Sequence, residues 1–215
     1  MIVFASCVGS PEKFATCALP GLRLAAEPDS PIVEATTDRS IFEAYNEVLD
    51  AVADLDGLEA LVLLHEDVEI IDPGFCTKIR AALQQPDVAI VGAIGARRVT
   101  SLAWWEGETF GRVLESRGLI DFGGGTHDVE TVDGLMLVLS PWAVHNLRFD
   151  SERFTGFHGY DGDLCFQARA AGRRVLVTEL PLVHHTKGGY GDFEAYRAAD
   201  RAWREKWLAP AAAAA

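Results

Sequence analysis

The chain is poor in basic residues, cysteine pairs and long apolar runs. It has 19 lysines and arginines against 32 acidic residues and a net charge of −13, so we expect no nucleic-acid partner, because phosphate binding needs clustered cations. Its four cysteines form no C-x-x-C pair and show no zinc spacing, which favours core packing in a reducing cytosol. No apolar run approaches the roughly 18 residues of a membrane span and no signal-peptide pattern opens the chain, so we expect a cytoplasmic protein.

Short apolar runs alternate with segments of helical spacing. The predicted strands are 2–6, 32–35, 59–65, 88–93, 136–140, 174–178 and 182–185. The predicted helices are 41–55, 73–85, 160–171 and 192–207. Asp72 followed by Pro73 predicts the cap and first position of the second helix. We predict one α/β domain over residues 1–208, with loops at 97–130 and a disordered alanine-rich tail at 209–215. Its sheet should be mixed and mainly parallel, with helices on both faces and ligands bound at the carboxyl ends of the strands.

The first polar segment that could bind a ligand follows a predicted buried strand. His65, Glu66 and Asp67 follow the apolar run at 59–64. A carboxylate at this place can hold Mg²⁺ or Mn²⁺, which take oxygen ligands and bridge diphosphates. For a lone acidic turn, a polar chain exit from a strand is the more frequent explanation, so Asp67 needs support from elsewhere in the chain.

A second strand end offers that support. The predicted strand 182–185 ends in His184 and His185. Neutral imidazole is a common metal ligand, and an imidazole beside a carboxylate suits Mn²⁺. Since adjacent side chains on a strand point to opposite faces, at most one of the two histidines should reach the metal.

Two further segments carry carboxylates. Asp161 and Asp163 lie at the start of a predicted helix, where the helix dipole favours the ionised form. An ionised carboxylate in a cleft can accept the proton of an attacking hydroxyl, although capping is the commoner role at such a position. Asp133 and Gly134 precede the strand at 136–140, and Gly134 permits either a close approach of the backbone to a ligand or a simple bend.

Taken in order, these segments resemble the family 2-like glycosyltransferases with the GT-A fold. The nearest match is the subgroup in which a histidine precedes the acid of the D-x-D motif. The matching pieces run from about residue 1 to 189 and include SIFEAYNEVLD (40–50), LVLLHEDVEI (61–70), VDGLMLVLS (132–140), FDSERFTGFHGYDGDLC (149–165) and VLVTELPLVHHTKGG (175–189). The chain departs from the family pattern at His65, which replaces the first acid, and at Tyr160, where the family often has Glu.

The resemblance implies an activity and its partners. It implies transfer of a sugar, with inversion, from a nucleoside-diphosphate donor to a carbohydrate or other hydroxyl acceptor, with a UDP-sugar favoured and Mn²⁺ or Mg²⁺ as cofactor. Asp161 matches the general base, and Asp67 with His184 or His185 matches the metal site. The expected donor contacts are Ser6, Asp38, Asn46, His65, Glu66, Asp67, Asp133 and Gly134. Trp104 and Trp105 are expected either to stack on a sugar ring in a lid or to pack locally.

Two other functions fit parts of the pattern. A nucleotide-sugar or glycan-binding protein without catalysis would explain the missing first acid at His65. A nucleotidyltransferase would need a basic, glycine-rich loop after the first strand, and residues 7–14 supply one glycine and one lysine.

Overall fold

The computed structural model describes residues 1–36, 40–186, 188 and 191–208. Its strands are β1 (Ile2–Cys7), β2 (Ile32–Ala35), β3 (Ala60–Leu64), β4 (Val68–Ile70), β5 (Val88–Gly92), β6 (Ile94–Arg97), β7 (Glu108–Glu115), β8 (Gly118–Asp121), β9 (His127–Val129), β10 (Thr131–Val132), β11 (Met136–Leu139), β12 (Arg174–Val177) and β13 (Leu182–His184). Its α-helices are α1 (Pro11–Lys13), α2 (Leu19–Ala25), α3 (Ile41–Val52), α4 (Phe75–Ala82), α5 (Pro141–Asn146), α6 (Tyr160–Ala170) and α7 (Phe193–Trp207). A π-helical stretch, Phe14–Ala18, joins α1 to α2.

The larger sheet has the strand order β2-β1-β3-β11-β5-β12-β9. Strands β2, β1, β3, β5 and β12 run in one direction, while β11 and β9 run in the other. Every residue of β3, β5 and β11 is buried, so both faces of this sheet are covered. The expectation of a mixed, mainly parallel sheet between helices is confirmed.

Helix α3 shows why the local sequence adopts its structure. The Ser40 hydroxyl accepts a hydrogen bond from the Glu43 backbone amide and donates one to the Glu43 carboxylate. Ser40 is therefore the N-cap of α3, and its hydroxyl satisfies one of the amides that the first helical turn leaves free. The apolar face of α3 then buries Tyr45, Val48 and Leu49 in the core.

A second sheet, with the order β10-β6-β7-β13-β4 and β8 paired to β7, corrects the predicted loops at 97–130. The segment contains the hairpin of β7 and β8, in which Glu115 pairs with Gly118. It also contains β9, which extends the larger sheet. The prediction was wrong because one face of the hairpin is exposed, so its strands lack the continuous apolar run of a buried strand.

Helix α4 begins later than predicted. Asp72 is not its cap: Gly74 holds that position, and the helix covers Phe75–Ala82 instead of 73–85. The Asp72 carboxylate accepts a hydrogen bond from the Gly74 amide two residues on, at 2.8 Å, and pairs with Lys78 at 2.5 Å. Such a side-chain turn competes with helix capping, which explains the shift. The predicted tail at 209–215 lies outside the described residues.

Candidate active site

The carboxyl end of β3 positions the first group of polar side chains. The His65 amide donates to the Leu135 carbonyl at 3.0 Å, and the chain then turns into β4, which pairs with β13. In that pairing His184 lies opposite Val68, next to Asp67 in the sequence. The two sheets therefore bring His65, Asp67 and His184 together, although 119 positions separate the first from the last.

These three side chains form a group with the geometry of a metal site. Among the described residues, one nitrogen of each histidine and a carboxylate oxygen of Asp67 all lie within 4.8 Å of one another. His184 Nε2 lies 3.4 Å from Asp67 Oδ1. Two imidazole nitrogens and one carboxylate oxygen form a donor set that suits Mn²⁺ and similar divalent metals better than Mg²⁺, which prefers oxygen alone.

The three side chains of this group shift one another's pKa values. Burial opposes ionisation of Asp67, but the hydrogen bond from His184 and the nearby positive groups outweigh it and lower the pKa of Asp67 to about 2. Burial lowers the pKa of His184, yet the Asp67 carboxylate reverses this effect and leaves that pKa raised. The pKa of His65 is lowered, first by burial and then by the charge of His184. A carboxylate that stays ionised is ready to hold a cation.

His185 points elsewhere. Its Nε2 atom lies 2.8 Å from a Glu69 carboxylate oxygen, and its backbone amide donates to the Asp67 carbonyl at 2.8 Å. Because neighbouring strand residues alternate between faces, the chain offers His184 to the group and His185 to Glu69. The two histidines that the sequence left undistinguished are thereby separated.

A cavity of about 660 Å³ opens beside this group. Among the described residues, four carboxylates line this cavity: those of Glu66, Asp67, Asp133 and Asp161. Lys13 contributes the positively charged side chain of the lining. The remaining lining residues are Cys7, Gly9, Ile41, His65, Leu102, Trp104, Trp105, Gly134, Phe157, His158, Gly159, Tyr160, Gly191 and Tyr196. A strongly acidic cavity of this size can hold a polyanion only with cations that offset the repulsion.

Asp161 and Asp133 flank Gly134 at the wall of the cavity. The Gly134 amide donates to Asp161 Oδ2 at 2.8 Å, and the Trp104 indole donates to Asp133 Oδ2 at 3.1 Å. Burial, together with the nearby charge of Asp133, raises the pKa of Asp161 to about 6. A carboxylate with a pKa close to neutrality is a better proton acceptor than an exposed one.

The space beside Gly134 is filled by Tyr160. A Cβ atom at Gly134 would overlap the Tyr160 hydroxyl, which donates a hydrogen bond to the Gly134 carbonyl at 2.7 Å. The close approach expected at Gly134 is thus made by a side chain of α6. Tyr160 is buried, and its hydroxyl also lies 2.6 Å from His65 Nε2.

The other residues expected to contact the donor lie in different surroundings. Glu66 lines the cavity, but its Oε2 accepts hydrogen bonds from the Gly9 and Ser10 amides, both at 2.7 Å, and so holds the loop after β1. Ser6 is fully buried, and Asn46 exchanges two hydrogen bonds with the backbone of Phe149, so neither lines the cavity. Asp38 lies outside the described residues.

Sequence reasoning gave no role to Lys13, although the structure brings it to the acidic group. Its ammonium lies 3.8 Å from Glu66 Oε1 and 3.7 Å from Asp67 Oδ2. The signal was present as the single lysine shortly after the first strand. It was too weak to use because only the tertiary structure shows that α1 faces the end of β3.

Comparisons with known proteins find similarity to glycosyltransferases and related proteins along nearly the whole chain. The family model described as "Glycosyltransferase like family" matches residues 3–204. The chain is 34% identical to the "Streptomycin biosynthesis protein StrF" of Streptomyces griseus over 217 aligned positions, which cover 98% of this chain and 77% of that protein. Among solved structures, A197 from STIV superposes with a TM-score of 0.53 at 14% identity, covering 83% of this chain and 81% of A197, which supports the fold alone. None of the helices in the described ranges is long and apolar enough to cross a membrane.

Proposed function

The chain belongs to the glycosyltransferase-like family and has a GT-A-like fold, and on that premise we propose how this glycosyltransferase works. It moves a sugar from a nucleoside-diphosphate donor, with a UDP-sugar favoured, to an acceptor hydroxyl, with inversion at the anomeric carbon. The single observation that carries the proposal is that Asp67 and Asp161 line one cavity, with the possible metal ligands His65 and His184 beside Asp67.

We assign His65, Asp67 and His184 as the residues that hold the divalent cation. The fit rests on their ligand atoms, which lie within 4.8 Å of one another, and on the low pKa of Asp67. Their two imidazoles favour Mn²⁺ over Mg²⁺. When bound, the cation offsets the negative charge that develops on the departing diphosphate.

Lys13 supplies a second positive charge at the donor end of the cavity. Its ammonium lies within 4 Å of both Glu66 and Asp67 without a shorter ion pair to either, so it can move toward a phosphate. Glu66 positions the loop before Lys13 through the Gly9 and Ser10 amides. In the proposed arrangement, Asp133 contacts the donor sugar or the acceptor.

Asp161 acts as the general base. Its carboxylate takes the proton of the acceptor hydroxyl while the acceptor oxygen bonds to the anomeric carbon. The bond from that carbon to the diphosphate breaks, and the nucleoside diphosphate leaves with the electron pair. The raised pKa of Asp161, about 6, makes it basic enough to share the proton yet mostly ionised at neutral pH.

The acceptor is proposed to be a small hydroxyl compound such as a carbohydrate, by analogy with StrF, whose name assigns that protein to streptomycin biosynthesis. Among the described residues, four carboxylates and one lysine line the cavity, which favours an acceptor that is neutral or positively charged. Trp105 and Phe157, both exposed at the cavity, offer flat apolar surface to a sugar ring. We also propose a cytoplasmic location, where the four free thiols would stay reduced.

Substitution of the base gives the direct test. A panel of nucleotide-sugars is first screened with Mn²⁺ by thermal shift, and the stabilising donor is then used in transfer assays. Asp161→Asn should reduce turnover about 10²–10⁴-fold while donor binding persists, because only proton transfer is lost. Asp56→Asn is the matched control. Asp56 is exposed and does not belong to the residues that line the cavity, so this variant should retain full turnover.

The pH profile provides a second readout of the same base. In the wild-type enzyme, kcat/KM should fall about tenfold per pH unit below about 6, because protonated Asp161 cannot accept the acceptor proton. Full turnover by Asp161→Asn would refute the base assignment. Donor binding without turnover in the wild-type protein would instead favour a binding protein.

A further inference from the structure

The hydroxyl of Tyr160 lies between two partners at the centre of the site. It is 2.6 Å from His65 Nε2 and 2.7 Å from the carbonyl oxygen of Gly134. The Tyr160 side chain is only 3% exposed, so water does not readily compete for these contacts. Tyr160 stands at the first position of α6, immediately before Asp161.

The number of protons fixes the direction of both hydrogen bonds. A tyrosine hydroxyl has one hydrogen, and a carbonyl oxygen can only accept. The Tyr160 hydrogen is therefore directed to Gly134, and the hydroxyl oxygen can interact favourably with His65 only by accepting a hydrogen from Nε2. In a neutral imidazole that carries its hydrogen on Nε2, the other nitrogen, Nδ1, has the free lone pair.

We propose that Tyr160 is a positioning residue that holds His65 in the Nε2–H form and so makes Nδ1 the atom offered to the cation. Residues in this role fix the orientation and the tautomer of a metal-binding histidine. The proposal deepens the proposed function, since it rests on His65 as a member of the metal site. Tyr160 also occupies the position where the family often carries Glu. Its hydroxyl forms a hydrogen bond with His65, the residue that replaces the first acid of the D-x-D motif.

The surroundings of Tyr160 hold its hydroxyl in place. Its ring lies against Phe42, Tyr45 and Phe149, with ring centroids 6.2, 5.8 and 6.1 Å away. The first turn of α6 forms hydrogen bonds with both the carbonyl and the amide of Gly134. The carbonyl accepts from Tyr160, and the amide donates to Asp161. The same turn thus couples the orientation of His65 to the position of the proposed base.

Nitrogen-15 spectra of the histidine rings test the tautomer in the metal-free wild-type protein, at a pH where the ring is neutral. The His65 signals are assigned by their loss in His65→Gln. We expect a protonated Nε2 and an unprotonated Nδ1, and addition of Zn²⁺ as a diamagnetic probe should shift Nδ1. A protonated Nδ1 in the neutral ring, or a Zn²⁺ shift confined to Nε2, would overturn the proposal.

Two matched variants test the contribution of the hydroxyl. Tyr160→Phe removes it and keeps the ring, and Mn²⁺ affinity, measured by calorimetry, should fall about 10–100-fold. The tautomer signals of His65 should become mixed. Tyr45→Phe is the control, because Tyr45 is equally buried and lacks a well-formed hydroxyl hydrogen bond among the described residues. Its affinity and its His65 signals should match those of the wild type.

The outcomes separate this proposal from the proposed function. Wild-type affinity and an unchanged His65 tautomer in Tyr160→Phe would overturn the role of Tyr160 while leaving the metal site intact. If the wild-type protein binds no Mn²⁺, the proposed metal site fails, but the ring-nitrogen spectra still decide which form of His65 Tyr160 holds. Should Tyr160→Phe fail to fold, the wild-type spectra alone give that decision.

Discussion

Asp161 and Asp163 lie two residues apart in the first turn of α6, yet their surroundings are opposite. Asp163 is 1% exposed, and its oxygens contact the Lys206 ammonium at 2.8 Å, the Trp207 indole at 2.8 Å and the Gln167 amide at 2.7 Å. Asp161 accepts a hydrogen bond from the Gly134 amide and lies near the like charge of Asp133, and none of the described residues forms a salt bridge with it.

The difference shows how one short motif supplies both structure and chemistry. Two residues along a helix rotate the side chain by about 200°, so Asp163 meets α7 while Asp161 meets the cavity. Burial and the like charge of Asp133 raise the pKa of Asp161, which favours the protonated form at a cost to the stability of the fold.

The largest expected effect is on the structural side of this comparison. Asp163→Asn should lower the free energy of unfolding by about 3 kcal/mol, because it leaves the partly buried Lys206 ammonium without its closest buried partner. Lys206 keeps Asp150 at 2.7 Å, which limits the loss. Urea unfolding measures the change. A variant as stable as the wild type would show that Asp163 does not anchor α7.

His184, the last residue of β13, and His185, which follows it, allow the same comparison at the metal site. His184→Ala should weaken Mn²⁺ binding by at least about 100-fold, since it removes a proposed ligand and the partner of Asp67. His185→Ala should leave the affinity unchanged and alter stability by no more than about 0.5 kcal/mol, because its bond to Glu69 lies at the surface. Calorimetry on both variants decides, and equal losses would contradict the separation of their roles.

The most specific effect concerns the stability cost of Asp161. Its pKa in the fold, about 6, lies above the ordinary value of 3.8, so the native state binds more protons than the unfolded state between these values. Stability from this group therefore falls as the pH rises from about 4 to about 6. Asp161→Asn removes the cost and should raise the free energy of unfolding at pH 7 by up to about 3 kcal/mol.

Unfolding at two pH values checks the sign. The gain from Asp161→Asn should be present at pH 7 and absent near pH 4, where the wild-type carboxyl is already neutral. A gain that does not depend on pH would mean that the substitution acts through packing. In that case the raised pKa of Asp161 would not be the source of the stability cost.

Local sequence determined a large part of the fold. Strands β3, β5 and β11 form where continuous apolar residues need cover on both faces, and the helix after Ser40 follows from its cap and spacing. The hairpin of β7 and β8 escaped prediction because one of its faces is exposed, so its strands lack a continuous apolar run. The start of α4 was misplaced because the Asp72 carboxylate accepts a hydrogen bond from the Gly74 amide instead of capping the helix.

The candidate site divides in the same way. The sequence by itself indicated the residues that could carry the chemistry, since His65, Asp67, His184 and Asp161 all stand at ends of regular elements, where an α/β sheet presents its ligands. Only the tertiary structure chose between His184 and His185, assigned Glu66 to the loop at Gly9, and brought Tyr160 against His65. Those choices depend on the directions of side chains and on contacts between distant segments, which arise when the two sheets pack together.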